Sequence, residues 1–421
     1  MILSQFNYKV MPVVVQKLWV LYFLDFIYSG LLRGFLPNQV SNIIFFARFM
    51  IIALLVFFFL KSGTLLDPFA RFFVLVSCLL LGFQLILFIN MQLNFQTFIY
   101  GIYLYVVPFL GIAIAKGMDV SLILNRYFSI MKIAIPLNLL VSLLQTVFHF
   151  EALYSAGFGT GLYSSGGVQR STGTFSSSVG LSLFTTTTCI LLMAIHVLKI
   201  ARVPQYLWIS ICFLILISGS RTTFLNFGFL VFGILIVKNT RNRLHKSSRL
   251  RRFFILVSFL FATSLPFLLS VYIAGLNRLK DANAINPPLS RLLQQLSLAG
   301  YQVDLFGTGL GTRALGAVNN SDRRILYANW VEFDNARILV EAGLIFFLLI
   351  WLAKLSLLIH ISNQKGRLTI DERIVINIAL LGLVPYLLFA QIFGQGTLSS
   401  GVFLIVYILL AVLYRESNTL A

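Results

Sequence analysis

Asp334, Arg337 and Glu341 fall at i, i+3 and i+7 of one largely apolar stretch, so a helix through them carries all three on one face. Charged side chains this near to hydrocarbon cost about 2.5–3.5 kcal/mol each on insertion scales when unpaired at the centre of a span. They are therefore expected to face the protein interior or a water-filled cavity. A carboxylate there could accept a proton or orient a hydroxyl, and the guanidinium could line the same charged wall. The alternative is an Arg337–Glu341 pair that serves packing. Asp334 could also cap the helix, leaving Glu332 or Glu341 as the base.

Arginines form a second group. In Ile217-Ser-Gly-Ser-Arg221-Thr-Thr, Arg221 stands at the start of an apolar run. Helix N-termini offer unpaired N–H groups and the positive end of the helix dipole. Ser218 or Ser220 as a cap, with Arg221 beside it, would suit phosphate. A capped turn with Arg221 reaching the lipid headgroups is the competing reading. Arg170-Ser-Thr-Gly-Thr-Phe repeats the pattern before another run, against the alternative of a flexible polar loop. Gly307-Thr-Gly-Leu-Gly-Thr-Arg313 looks like a phosphate-cradling loop, but it follows no strand and opens no βαβ unit. It is expected to make a tight turn.

The elements that must position these residues are membrane helices. Of 421 residues, 59% are hydrophobic and 11% charged, and the mean hydropathy is +0.92. That excludes a soluble enzyme, a disulfide scaffold and a disordered chain. Continuous apolar runs, not alternating ones, exclude an outer-membrane barrel. The fold class is all-α, a polytopic integral membrane protein of about 12 transmembrane helices forming one membrane domain over residues 1–421. The runs predict spans at 17–32, 42–60, 71–90, 95–115, 127–149, 177–198, 204–219, 222–238, 253–273, 335–360, 373–393 and 397–414. The N-terminus, with Lys9 and Lys17 before the first span, reads as a retained signal-anchor.

Charge sets the expected orientation. Residues 238–252 carry Lys238, Arg241, Arg243, Lys246, Arg249, Arg251 and Arg252 with no acid, which assigns that loop and both termini to the cytoplasm. The net charge of +19 thus reflects topology and not nucleic-acid binding. Two long loops fall outside: the Gly/Ser-rich segment 150–176, and 274–334 with Pro287-Pro288 and a short amphipathic helix from Leu289 to about Leu298. The second is expected to lie over the outer opening as a small folded element. Outer basic residues are nearly all arginine: 33, 48, 170, 221, 278, 291, 313, 323, 324 and 337, with Lys280 the one lysine. Ion pairing with the outer acids Asp281, Asp304, Asp322, Glu332, Asp334 and Glu341 accounts for about half of them; arginine suits bidentate phosphate recognition, so the remainder point to an anionic ligand on that side. Lys132 and Lys354 are expected to snorkel inward, and Asp25 to pair with Arg48. Three cysteines within apolar runs and four scattered histidines suggest neither disulfides nor a metal site.

The order Arg170…Thr-Gly-Thr-Phe, Ser218-Gly-Ser-Arg221-Thr, Arg291…Phe306-Gly-Thr-Gly-Leu-Gly and Asp334-Asn-Ala-Arg-Ile-Leu-Val-Glu341-Ala-Gly-Leu resembles the O-antigen polymerase and ligase superfamily. The resemblance covers about residues 165–360; the first five spans match as hydrophobic helices alone. It implies a multi-pass glycosyltransferase of the bacterial cytoplasmic membrane. The substrate implied is an undecaprenyl-pyrophosphate-linked oligosaccharide presented on the extracytoplasmic face. The resemblance gives pyrophosphate binding to Arg221, and to Arg170 and Arg291 with it. Ligases of this superfamily carry His-Asn where this chain has Asp334-Asn335, a departure that favours a polymerase. The product would be a surface polysaccharide: O-antigen, capsule or exopolysaccharide. No cofactor is expected, because the leaving group is already phosphate-activated. Membrane lipids, a flippase and a chain-length regulator are the further partners implied. A ligase, or a flippase or transporter of lipid-linked oligosaccharides, is the alternative.

Overall fold

Long apolar runs become helices because a helix satisfies its backbone N–H and C=O groups within its own segment. The computed structural model of this chain describes residues 13–36, 38–61, 68–90, 93, 95–114, 119–146, 164–165, 168–169, 171–175, 178–217, 304–310, 312, 334–364, 369, 372–380, 406–410 and 412. Most of these are helical. In chain order they form α1 (Val13–Phe35), α2 (Asn38–Lys61), α3 (Pro68–Ile89), α4 (Phe95–Gly101), a π-helical turn (Ile102–Val106), α5 (Val107–Ile114) and α6 (Val120–Thr146). A two-residue hairpin follows, β1 (Ser164–Ser165) against β2 (Val168–Gln169), with Ser164 opposite Gln169. Then come α7 (Ser178–Val197), α8 (Gln205–Ile217) and α9 (Asp334–Gln364). Residues 372–380 and 406–410 are also helical.

Among the described residues, four helical stretches are long and apolar enough to cross a membrane: Pro68–Ile89, Val120–Thr146, Gly180–Val197 and Arg337–Asn363. The faces of α9 show what surrounds it. Ile338, Ala342, Ile350, Ala353, Leu357 and Ile361 are buried in the protein, while Leu344, Leu348, Leu352, Leu355 and Ile359 form an exposed stripe. Water would penalise such a stripe, and lipid would not. The charged residues of this helix, Arg337, Glu341 and Lys354, lie buried on the protein side. This inverted polarity marks a membrane-associated helical protein.

The interior is aromatic where α1 meets its neighbours. Phe23 packs edge-on against Tyr127 of α6, ring centroids 5.2 Å apart, and Trp19 meets Tyr407 at 6.4 Å. The Tyr407 hydroxyl donates to the Pro108 carbonyl of α5 at 2.9 Å. Helix α1 packs on α2 and α6, α6 on α7 and α8, and α3 on α5 and α9.

The helices depart from the expected spans in instructive places. A helix expected from residue 127 begins at Val120, because Asp119 caps it: its Oδ1 accepts the Leu122 N–H at 3.1 Å. The span expected at 95–115 is divided by the π turn, in which the Val107 N–H reaches the Ile102 carbonyl. Pro108 follows directly, and its ring and missing N–H disfavour a regular α turn there. The helix at 372–380 opens with a capping box: Glu372 Oε2 accepts the Thr369 N–H at 3.0 Å, and the Glu372 N–H donates to Thr369 Oγ1 at 3.3 Å. Lys354, expected to snorkel, is buried, whereas Lys132 is exposed with its ammonium 4.7 Å from the Phe128 ring centroid. The segments expected at 222–238 and 253–273, the amphipathic helix near 289–298 and the Arg48 side chain lie outside the described residues.

Candidate active site

The first two turns of α9 carry Arg337 and Glu341 one helical turn apart. Both are buried, at 3% and 0% exposure, as their charge and position required. Tyr105 of the π turn meets them: its hydroxyl donates to Glu341 Oε2 at 2.7 Å, and the Arg337 guanidinium carbon lies 5.8 Å from its ring centroid. A hydrogen bond to a carboxylate is charge-assisted and short, as here. The cation over the ring adds an electrostatic attraction that grows when water is excluded. An acid, a base and a phenol thus share one buried locus. Asp334 is the first residue of α9, on the turn that precedes Arg337, and its side chain lies outside the described residues.

Helix α9 is interrupted just beyond Glu341. Gly343 has φ 69° and ψ 176°, which breaks the hydrogen-bond ladder. A break leaves carbonyls behind it and N–H groups ahead of it without intrahelical partners. The segment Asp304–Gly309 satisfies four of them. The Thr308 and Gly309 N–H groups donate to the Val340 and Glu341 carbonyls at 3.1 and 2.8 Å; the Leu344 and Ile345 N–H groups donate to the Asp304 and Leu305 carbonyls at 3.1 and 3.3 Å. The glycine-rich segment does turn, with the Thr312 N–H on the Gly309 carbonyl at 3.4 Å. Its described part is built into the helix break. Its Leu310 is fully buried.

Gln84 of α3 anchors that segment from the other side. Its Nε2 donates to the Leu310 carbonyl and its Oε1 accepts the Leu310 N–H, both at 2.9 Å. Gly101, the residue before the π turn, lies under this contact, where a Cβ would run into the Leu310 carbonyl and Gln84 Nε2. The same few residues therefore touch both the helix that carries Glu341 and the chain that leads into Tyr105.

In the segment after Arg170 the amides of Thr172, Gly173 and Thr174 are already bonded within the protein and are not available to an anion. Gln145 Oε1 of α6 accepts the Thr172 and Gly173 N–H groups at 2.9 Å each, and its Nε2 donates to the Gly173 carbonyl at 3.1 Å. Asn138 Oδ1 accepts the Thr174 N–H at 3.0 Å, and the Thr174 hydroxyl donates to the Ile27 carbonyl of α1 at 2.6 Å. Gly173 has φ +56°, and a Cβ there would press on Asn138 Oδ1 at 2.6 Å. Ser171, Thr172 and Thr174 are all fully buried.

The structure thus brings Arg337 and Glu341 together with Tyr105. Arg170, Arg221 and Arg291 lie outside the described residues. Tyr105, Gln84, Asn138 and Gln145 were not singled out in the sequence. The signal that could have found them is a polar side chain inside an apolar span, which demands a partner. Among the described residues no three His, Cys, Asp or Glu side chains gather as a metal site. Comparison with protein-family models and with curated proteins finds no match to this chain.

Proposed function

We propose that this chain is a multi-pass membrane enzyme that acts on lipid-linked glycans. Its reaction is the polymerisation of undecaprenyl-pyrophosphate-linked oligosaccharide repeats on the extracytoplasmic face of the bacterial cytoplasmic membrane, with about twelve spans and both termini inside. The observation that carries the reading is Glu341, buried beside Arg337 and held by Tyr105 at the start of α9. A hydroxyl of one repeat attacks the anomeric carbon of the sugar on another lipid pyrophosphate. The new glycosidic C–O bond forms, the bond to the pyrophosphate oxygen breaks, and the hydroxyl proton passes to a carboxylate, Asp334 or Glu341. The departing pyrophosphate takes the electron pair and needs cationic neighbours, the role given to Arg221, Arg170 and Arg291.

A transporter is the less supported alternative, for a reason in α9. Transporters use the open ends of broken helices to hold substrate and ions. At the Gly343 break four such groups are already bonded to Asp304–Gly309. A ligase stays distinguishable by experiment. In a strain lacking this protein, loss of polymerisation leaves single repeats on the final acceptor. Loss of attachment leaves full-length polymer on the lipid, and a flippase defect traps repeats at the cytoplasmic face. Either of the last two patterns would sink the polymerase reading.

A further inference from the structure

We infer that Gln84 is a positioning residue for the Tyr105–Glu341 pair, acting through Leu310. The inference deepens the proposed function, because it names a residue that sets the geometry of that site without touching it. Tyr105 and Glu341 belong to different helices, and a direct bond of 2.7 Å between them requires their backbones to be held in register. Helix α3 links the two, stacking Phe83 on Phe346 of α9 and donating from Ser77 to the Val106 carbonyl of the π turn, and the connection nearest the pair runs through Leu310. On one side, Thr308 and Gly309 donate to the carbonyls of Val340 and Glu341. On the other, Leu310 packs on Gly101, immediately before the π turn that carries Tyr105. Between them Gln84 holds both backbone groups of Leu310, the N–H and the carbonyl, within an amide side chain that is itself fully buried.

Two bonds from one planar amide to the N–H and carbonyl of one residue fix that residue's orientation as well as its position. An apolar side chain could fill the same volume and would leave Leu310 able to shift along α3. The glycines at 101, 307, 309 and 343 allow this closeness, since a Cβ at any of them would meet its neighbours at 2.7 Å or less. A small displacement of Leu310 therefore reaches Glu341 through Gly309 and Tyr105 through Gly101.

The test reads the Tyr105 hydrogen bond directly, with 3-fluorotyrosine placed at position 105 of the full chain in nanodiscs and followed by fluorine NMR. Glu341→Gln supplies the resonance position of an altered contact. Gln84→Leu should displace the resonance in that direction or broaden it by exchange. Gln145→Leu is the control: Gln145 is an equally buried amide that also binds backbone, but in the Ser171–Thr174 network. It should leave the resonance where it is. If Gln84→Leu does not fold, Gln84→Glu, which keeps the shape and one acceptor for the Leu310 N–H, must give the displacement. An unmoved resonance in a folded Gln84 variant, or equal displacement in Gln145→Leu, overturns the inference. This readout holds whatever reaction the chain performs. In a polymerisation assay Gln84→Leu should lower kcat roughly tenfold or more with KM little changed, as misplacement of reacting groups does. A displaced resonance with unchanged kcat would uphold the positioning and count against Glu341 as part of the reactive site.

Discussion

Gly307 and Gly343 meet backbone to backbone: a Cβ on either would collide with main-chain atoms of the other. Both have positive φ, 70° and 69°, in the region that side chains disfavour. The contact lets the loop enter the helix break and serve the backbone groups that the break exposes. Alanine at either position should cost about 1–3 kcal/mol for the backbone and about 1–3 kcal/mol more for overpacking. Thermal unfolding in detergent checks this against Gly82→Ala in α3, where nothing lies within 4 Å of the added Cβ. That control should be neutral or stabilising, as helical Gly→Ala usually is. An equal loss at all three positions would remove the special role of the glycine pair.

Gln145→Leu should loosen the Ser171–Phe175 segment. It leaves the Thr172 N–H buried without its acceptor, at about 1–3 kcal/mol, and leaves the Gly173 N–H only the longer bond to Ser171 Oγ at 3.2 Å. Asn138→Leu removes the acceptor of the Thr174 N–H, while the Thr174 hydroxyl, which also reaches Asn138 Oδ1, keeps the Ile27 carbonyl, and it should cost less. Amide hydrogen exchange at residues 172–174 measures both. Unchanged protection in Gln145→Leu would contradict the described network.

The proposed orientation rests on the seven basic residues of 238–252. Single cysteines at Ser247 and Ser165, in a chain whose own Cys78, Cys189 and Cys212 are replaced, should label differently. A membrane-impermeant reagent should reach position 165 in spheroplasts and not position 247. The reverse pattern would invert the expected topology.

Arg221→Lys keeps the charge and loses the planar fork. Activity should fall while membrane insertion is retained, and Arg221→Ala should abolish long polymer. Arg170→Ala and Arg291→Ala should shorten the polymer as well. Wild-type chain length from well-expressed Arg221→Ala would dismiss that residue as a pyrophosphate ligand.

Asp334 and Glu341 can be separated by their amides. Asn caps a helix about as well as Asp but accepts no proton, so Asp334→Asn should keep stability and lose turnover if Asp334 is the base. Glu341→Gln keeps a group that can accept the Tyr105 hydroxyl and removes the buried negative charge beside Arg337. Its turnover should fall too, with some loss of stability because a carboxylate near the buried guanidinium is removed. Full turnover in Asp334→Asn with none in Glu341→Gln would assign the base to Glu341 and leave Asp334 as the cap.

Much of the architecture was legible because it depends on local properties. The apolar run from Ile338 onward is long enough to span, and the price of exposing Arg337 and Glu341 to lipid decides which way they face. In the loop 150–176 the residues Ser, Thr and Gly carry no hydrophobic signal, so nothing in the sequence announces burial there. Residues 171–175 are buried nonetheless, since Gln145 and Asn138 supply hydrogen bonds to them from another helix.

The sequence by itself determined a helical membrane protein with charged residues turned inward, since run length and desolvation cost are sums over neighbouring residues. The tertiary structure alone decided who meets them. Tyr105 reaches Glu341 across 236 positions, and does so from a π turn whose extra residue alters the helical phase that a 3.6-residue period would assign. The break at Gly343 looks in sequence like one more glycine in a span. It becomes a joint because Asp304–Gly309 lies close enough to bond the groups it opens. Such backbone pairing reads no side-chain pattern, so nothing in the order of residues announces it.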